Sequence, residues 1–421
     1  MSGIPAVMRG AVYHGPGDVR VASAVPVPEP GPGEVLIKVT VAGVCGSDAA
    51  EYVRPRLIPT GPDGSILAAS GGVVLGHEFA GEVAAAGPGV PGDLLGQRVA
   101  CGAGISCGTC AMCAQARTNL CVSYHTLGFQ RDGGMAEYVT APASICLPAG
   151  DRGLSADTIA LAQPMAIAVH ARSRGQVGNG QTVLVIGAGG IGLFLAYACA
   201  SVGAQVWVAD LAEDRLALAR ALGAAQVVDS RSVESADALA GAGVRASVIF
   251  EVSGSAAGLD SALRAARPGA RVVAVGVQEA ASQARFAEWT LGEYDILGTV
   301  AHVCETDLPH ALDLLAEGGA IWAGLAPDVL PLEALVSEGL VPLGAGGAAR
   351  GAGGAADGAG GAARVKTLFD PSASHPRVAD HGRWLRTYAF PADRALCRGG
   401  RAAGCDNQPV IGGWLPQPSE A

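Results

Sequence analysis

What the sequence lacks sets its first limits. Positive charge is scarce: 28 lysines and arginines stand against 38 aspartates and glutamates, for a formal net charge of -10. A chain with that balance carries no basic footprint for nucleic acid. Long apolar runs are also missing. No uninterrupted stretch reaches the length of a membrane span, and the opening MSGIPAVMRGAVYHGPG has no apolar centre of a secretion signal. Neither nucleic acid nor membrane is therefore expected as a partner, and the cytoplasm is the expected compartment. Charged residues of any sign make up only 16% of the chain while half of it is hydrophobic, which fits an ordinary folded globular protein.

The 421 residues exceed the length at which a single core keeps growing, so two domains are expected. In a reducing compartment the eleven cysteines read as metal ligands or packed thiols rather than as a disulfide framework. Up to about residue 150 the chain consists of short β-type runs such as Glu34–Val41 (EVLIKVTV), broken by Pro/Gly-rich turns. From about 156 the texture changes. The strand TVLVIG leads through a Gly-rich turn into the helix-like GLFLAYACASVGA and then the strand QVWVAD. AQVVD, SVIFEVSG and RVVAVGV continue the alternation, which predicts a parallel sheet with helices on both faces.

Two amphipathic helices are expected beyond residue 300, in TDLPHALDLLAEGG and PLEALVSEGL. Residues 344–364 are three copies of a seven-residue unit, GAGGAAR, GAGGAAD and GAGGAAR. Side chains this small offer no seam for a coiled coil, so the repeat reads as a flexible linker. VKTLFDP at 365–371 reads as a closing strand, and 372–421 as a tail without an assigned role.

The strongest local signal is CGTCAMCAQARTNLC, which spaces Cys107, Cys110, Cys113 and Cys121 by two, two and seven residues. Four thiolates so close in the chain can enclose one tetrahedral zinc and leave no open position, as in a structural site. The ferredoxin pattern places a proline after its last cysteine, whereas Val122 follows here. Packed thiols without metal are the plainer alternative. Upstream, VCGSD (44–48) and GHEF (76–79) supply Cys45 and His77 as zinc ligands, with Glu78 ligating directly or standing just behind. Three protein ligands leave a position for water or a substrate oxygen, the form of a catalytic site. Asp48 is suited to fix the tautomer of His77, or simply to form a turn, and Ser47 to pass on a proton, or simply to cap a helix.

Gly187, Gly189 and Gly192 form a G-x-G-x-x-G turn between a strand and a helix, the context in which that motif carries weight. Asp210 ends the next strand, eighteen residues after Gly192, where a carboxylate binds a ribose 2′-hydroxyl and repels a 2′-phosphate. NAD is expected over NADP. Arg215 keeps the phosphate alternative open, although a solvated helix charge is the plainer reading.

Together VCGSD, GHEFAGEV, the four-cysteine loop, GGMAEYV and GAGGIG resemble the zinc-containing medium-chain dehydrogenase/reductase family over about residues 8–342 and 365–371. CGSDAAEY and VVLGHEFAGEV look most like 2,3-butanediol dehydrogenases, with sorbitol and threonine dehydrogenases as neighbours. The resemblance implies an α/β protein. A mostly β, GroES-like catalytic domain would take 1–163, completed by 301–371, and a doubly wound Rossmann domain binding NAD would take 164–300. It implies catalytic zinc at Cys45, His77 and Glu78, structural zinc at the four loop cysteines, and NAD at the glycine turn and Asp210. An NAD-linked interconversion of secondary alcohols or vicinal diols with ketones follows, with threonine or polyol oxidation as the rival and a non-catalytic NAD-binding protein as a second. An assembly of identical chains, dimer or tetramer, is expected.

Two positions depart from the family pattern. Gln163 stands where relatives often carry a zinc-approaching Glu or Cys, and Ala50 where they often carry the His that ends a proton relay. With Ala50 unable to serve, the proton from Ser47 is expected to go to water, the cofactor ribose or Glu51, the last read here as a surface carboxylate.

Overall fold

The structure, a computed structural model, describes residues 3–61, 72–231, 244–278, 286–344 and 365–382. The repeat expected as a linker lies outside them except for Gly344, as does the chain after 382. Apolar β-branched runs in the N-terminal part build an eight-stranded sheet around the strand Glu34–Gly43. That strand pairs antiparallel with Glu78–Ala86 on one side and, over its first half, with Tyr138–Pro142 on the other. At its far end the same side takes Leu368–Asp370, so the expected closing strand inserts between Glu34–Gly43 and Asp328–Pro331. Val35, Ile37, Leu75, Phe79, Leu127, Met135 and Phe369 fill the core beneath.

The second sheet is parallel throughout, in the order Gln226–Asp229, Gln205–Asp210, Thr182–Ile186, Ala246–Glu251, Ala266–Ala274, Asp295–Gly298. Thr182–Ile186 comes first in the chain and lies in the middle, with later strands added to both sides. The order reverses between it and Ala246–Glu251, which opens the crevice where this sheet type takes its ligands. The helices Ala162–Gly175 and Gly190–Ala200 pack on the sheet, and Cys304–Gly318 packs on Ala162–Gly175. Trp322 closes their packing, fully buried between Phe194 at 5.6 Å and Tyr197 at 4.8 Å.

Two expectations are corrected. PLEALVSEGL is not one α-helix: it forms a 3₁₀ turn at Leu332–Ala334 and a wide π turn at Leu335–Leu340. Its buried leucines, Leu332, Leu335 and Leu340, are three and five residues apart, and these are the repeats of those two turns rather than of an α-helix. The fold also takes in residues past 371. Arg377–Val378 adds a strand antiparallel to Asp328–Pro331, and the Arg377 guanidinium grips Asp157 through two hydrogen bonds of 2.6 and 2.7 Å. His381 then bridges the Thr158 hydroxyl at 3.0 Å and the Ala326 carbonyl at 2.8 Å. A strap of eleven residues, 372–382, thus seals the edge of the first sheet.

Candidate catalytic centre and nucleotide turn

Strand register brings the first group together. Gly43 faces Glu78 across the antiparallel pair, so Cys45, two residues beyond Gly43, meets His77 and Glu78 at the same sheet end. A Cβ at position 43 would lie 2.8 Å from the Glu78 carboxylate, so a larger residue there would displace that side chain. Gly76 is more tightly constrained: its φ of +97° belongs to glycine, and a Cβ would come within 2.6 Å of Met135. One ligand atom each from Cys45, His77 and Glu78 lies within 4.8 Å of the others.

Cys45 also caps the helix Gly46–Val53, and its amide donates to Asp48 Oδ2 at 2.8 Å. The other oxygen of Asp48 stands 3.3 Å from His77 Nδ1, out of line for a hydrogen bond, so both atoms remain buried without one. Ser47 Oγ is 3.3 Å from His77 Nε2. Burial opposes charge on His77, yet the Asp48 carboxylate and the Cys45 thiol group outweigh it and hold the imidazole well above its ordinary pKa. Glu78 Oε1 is likewise buried and unpartnered. Unmet acceptors, a thiol and an electron-rich imidazole around one point suit a divalent cation, and this donor set fits zinc.

Lys366 was not singled out from the sequence. Buried, it donates to Glu78 Oε2 and, at 3.1 Å, to the Val44 carbonyl. Burial disfavours its charge, but Glu78 and Cys45 more than compensate, so the ammonium stays protonated. Its stem also packs against the glycine turn, with a Cβ on Gly190 coming 3.0 Å from Lys366 Cδ. The signal available in the sequence was a lone cation two residues before the Leu-Phe pair of the closing strand. Glu51, in contrast, was read as a surface carboxylate. That is overturned: it is 2% exposed and accepts hydrogen bonds from the amides of Arg56, Leu57 and Ile58 at 2.9–3.1 Å. With its oxygens committed to that turn, Glu51 is a poor proton acceptor for Ser47. Gln163 is buried in the first turn of the helix Ala162–Gly175, and Ala50 is exposed on the helix after Cys45.

The four loop cysteines also converge within 4.8 Å. Cys110 and Cys113 approach to 3.6 Å, and Cys121 accepts from the amides of Cys107 at 3.2 Å and Ser123 at 3.3 Å. Donation from Thr109 pulls the Cys107 thiol down to about 6, while desolvation and neighbouring thiols push Cys113 up to about 11. Four cysteine sulfurs this close together suit a tetrahedral cation such as zinc.

The glycine turn has the expected form. Gly187 has φ +101°, and a Cβ on Gly192 would collide with the Gly187 carbonyl. Nothing lies within 4 Å of a Cβ built on Gly189, so no protein contact requires glycine there and the space stays open to a phosphate. Asp210 accepts from Ala188 in that turn at 2.6 Å and from Ala212 at 2.9 Å. Arg215 sits half-buried in the first turn of the helix Glu213–Ala221.

A glycine-rich nucleotide-type turn and a Cys/His/Glu cluster able to hold a metal ion are the features of a metal-dependent oxidoreductase. Residues 31–151 match the alcohol dehydrogenase GroES-like domain, and residues 190–317 the zinc-binding dehydrogenase family. A sorbitol dehydrogenase of Bacillus subtilis (strain 168) is 31% identical over 337 residues, covering 78% of this chain and 92% of the relative. The crystal structure of 2R,3R-butanediol dehydrogenase from Bacillus subtilis superposes with a TM-score of 0.72 at 27% identity, over 86% of this chain and 99% of that one. A protein of E. coli CFT073, described as a short chain alcohol dehydrogenase and complexed with NADH, gives 0.73 at 25%, over 87% and 100%. The chain belongs to the zinc-containing alcohol dehydrogenase family. Among the described residues no helix is long and apolar enough to cross a membrane.

Proposed function

We propose that the protein interconverts secondary alcohols or vicinal diols with ketones, using NAD. The observation that carries this reading is the convergence of Cys45, His77 and Glu78, with the Ser47 hydroxyl 3.3 Å from the same imidazole. Zinc, when bound, supplies Lewis acidity toward a substrate oxygen, and the nicotinamide supplies the hydride acceptor. Cys45, His77 and Glu78 would hold the metal, with Lys366 fixing Glu78 and Asp48 facing the far nitrogen of His77. Ser47 takes the proton released from the substrate hydroxyl. Because Glu51 is committed elsewhere and Ala50 has no proton-accepting group, Ser47 would hand that proton to water, and a bound cofactor would supply a ribose hydroxyl as an alternative acceptor. Cys107, Cys110, Cys113 and Cys121 would hold a second, structural zinc, and Asp210 would select NAD.

Catalytic residues 1–163, completed from 301 onward, and the nucleotide unit 164–300 form the two functional parts of this proposal. The test is NADH formation, followed by absorbance, with butane-2,3-diol, sorbitol and L-threonine. Highest kcat/KM on the diol is expected. Preference for sorbitol would move the assignment to polyols, preference for threonine to amino alcohols, and inactivity on all three would contradict it.

A further inference from the structure

Outside the metal centre, two buried side-chain atoms among the described residues lack partners, His302 Nδ1 and Gln278 Oε1. His302 borders a cavity of about 90 Å³, which has room for water. Gln278 sits where a cofactor is expected. It follows the strand Ala266–Ala274 at the carboxyl edge of the parallel sheet, and its Nε2 donates to Glu251 Oε2 at 2.7 Å. A carboxylate of this kind accepts and does not donate, so the amide orientation is fixed and the oxygen is the free end.

Glu251 is itself anchored. It ends the strand Ala246–Glu251 with no exposed surface, and its carboxylate accepts from the amides of Ser253 at 2.8 Å and Gly254 at 3.1 Å and from the Ser253 hydroxyl. Ser253 abuts the glycine turn: a Cβ on Gly187 would lie 2.9 Å from the Ser253 amide nitrogen. The turn is thus flanked on one side by Asp210 and on the other by the Glu251–Gln278 pair. In a doubly wound sheet the two halves of a dinucleotide lie across the switch point, so adenosine on the Asp210 side puts the nicotinamide nucleoside on the Gln278 side.

We propose that Gln278 is a cofactor-positioning residue which, held by Glu251, offers Oε1 to a hydrogen-bond donor of the nicotinamide nucleoside. The donor is either a ribose hydroxyl or the carboxamide N–H. The inference rests on the NAD reading above. An oxygen this buried gains by being satisfied, and one such bond corresponds to about a fivefold change in affinity.

The experiment is calorimetric titration of the full chain and of Gln278→Met with ADP, ADP-ribose and NADH. ADP lacks the second ribose and should bind both proteins alike, which also shows that the variant is folded. NADH should bind the variant about fivefold more weakly. A parallel loss for ADP-ribose assigns the donor to the ribose, and an unchanged ADP-ribose affinity assigns it to the carboxamide. Equal weakening of all three ligands, or no weakening of NADH, overturns the role of Gln278 and leaves the NAD reading standing. If the unsubstituted protein binds none of the three, both fall.

Discussion

At the scale of single residues, the centre depends on charges that are costly to leave unpaired. Lys366 and Glu78 are both buried, and removing one partner of such a pair strands the other, at a cost on the order of 3–5 kcal/mol. Lys366→Met should therefore lower the stability of the metal-free protein by about that amount in chemical denaturation, and adding Glu78→Gln should recover most of it. Additive losses in the double variant would show that the two groups are not coupled. Asp210 makes a different kind of contribution. Asp210→Ser removes a charged acceptor and its repulsion of a 2′-phosphate, so the NAD over NADP ratio of kcat/KM should fall tenfold or more, roughly one charged hydrogen bond. A ratio unchanged by the substitution would exclude Asp210 as the selector. The meeting of Cys45 with His77 and the place of Asp210 beside the glycine turn could be anticipated from the sequence because short motifs carry them. Glu51 and Lys366 were not, because their roles depend on amides or a carboxylate brought in by the fold. Three of the groups around Glu51 follow it in the chain, but nothing in their residue types announces a carboxylate-binding turn.

At the scale of elements, the parallel sheet could be read from alternating strands and helices, whereas the strap could not. Arg377–Val378 has only two strand residues, and its hold on the fold comes from Asp157, Thr158 and Ala326, far away in sequence. No local periodicity encodes such a contact. The strap has a testable acid sensitivity. Burial pushes the His381 pKa down, against the weaker upward pull of the Ala326 carbonyl and nearby carboxylates. The unfolded chain therefore takes up this proton at higher pH than the folded one. The stabilisation is complete above the ordinary histidine value of about 6.5 and is lost as the pH falls through it toward the lower folded value. Between pH 7.5 and 5.5 the thermal midpoint should drop more steeply for the unsubstituted protein than for His381→Gln, whose amide retains both hydrogen-bonding roles. Parallel curves would show that His381 does not titrate with unfolding.

At the scale of the whole molecule, the two sheets divide the work that the motifs announced. One carries the converging ligands at the end of Glu34–Gly43, the other the open glycine turn, and Lys366 touches both through Glu78 and Gly190. The order of motifs along the chain was enough to anticipate this division. The limits of the parts were less legible, since the strap joins the first sheet beyond the point where the pattern fades. The account stands or falls on there being two separate metal sites of different purpose, and the most direct measurement is native mass spectrometry of the intact chain beside Cys45→Ala, with NADH formation assayed on the same samples. Two zinc ions per chain are predicted for the unsubstituted protein. Cys45→Ala should retain one, held by the four loop cysteines, and lose alcohol-dependent NADH formation. A zinc count that Cys45→Ala leaves unchanged, with activity preserved, would contradict the assignment of the catalytic centre.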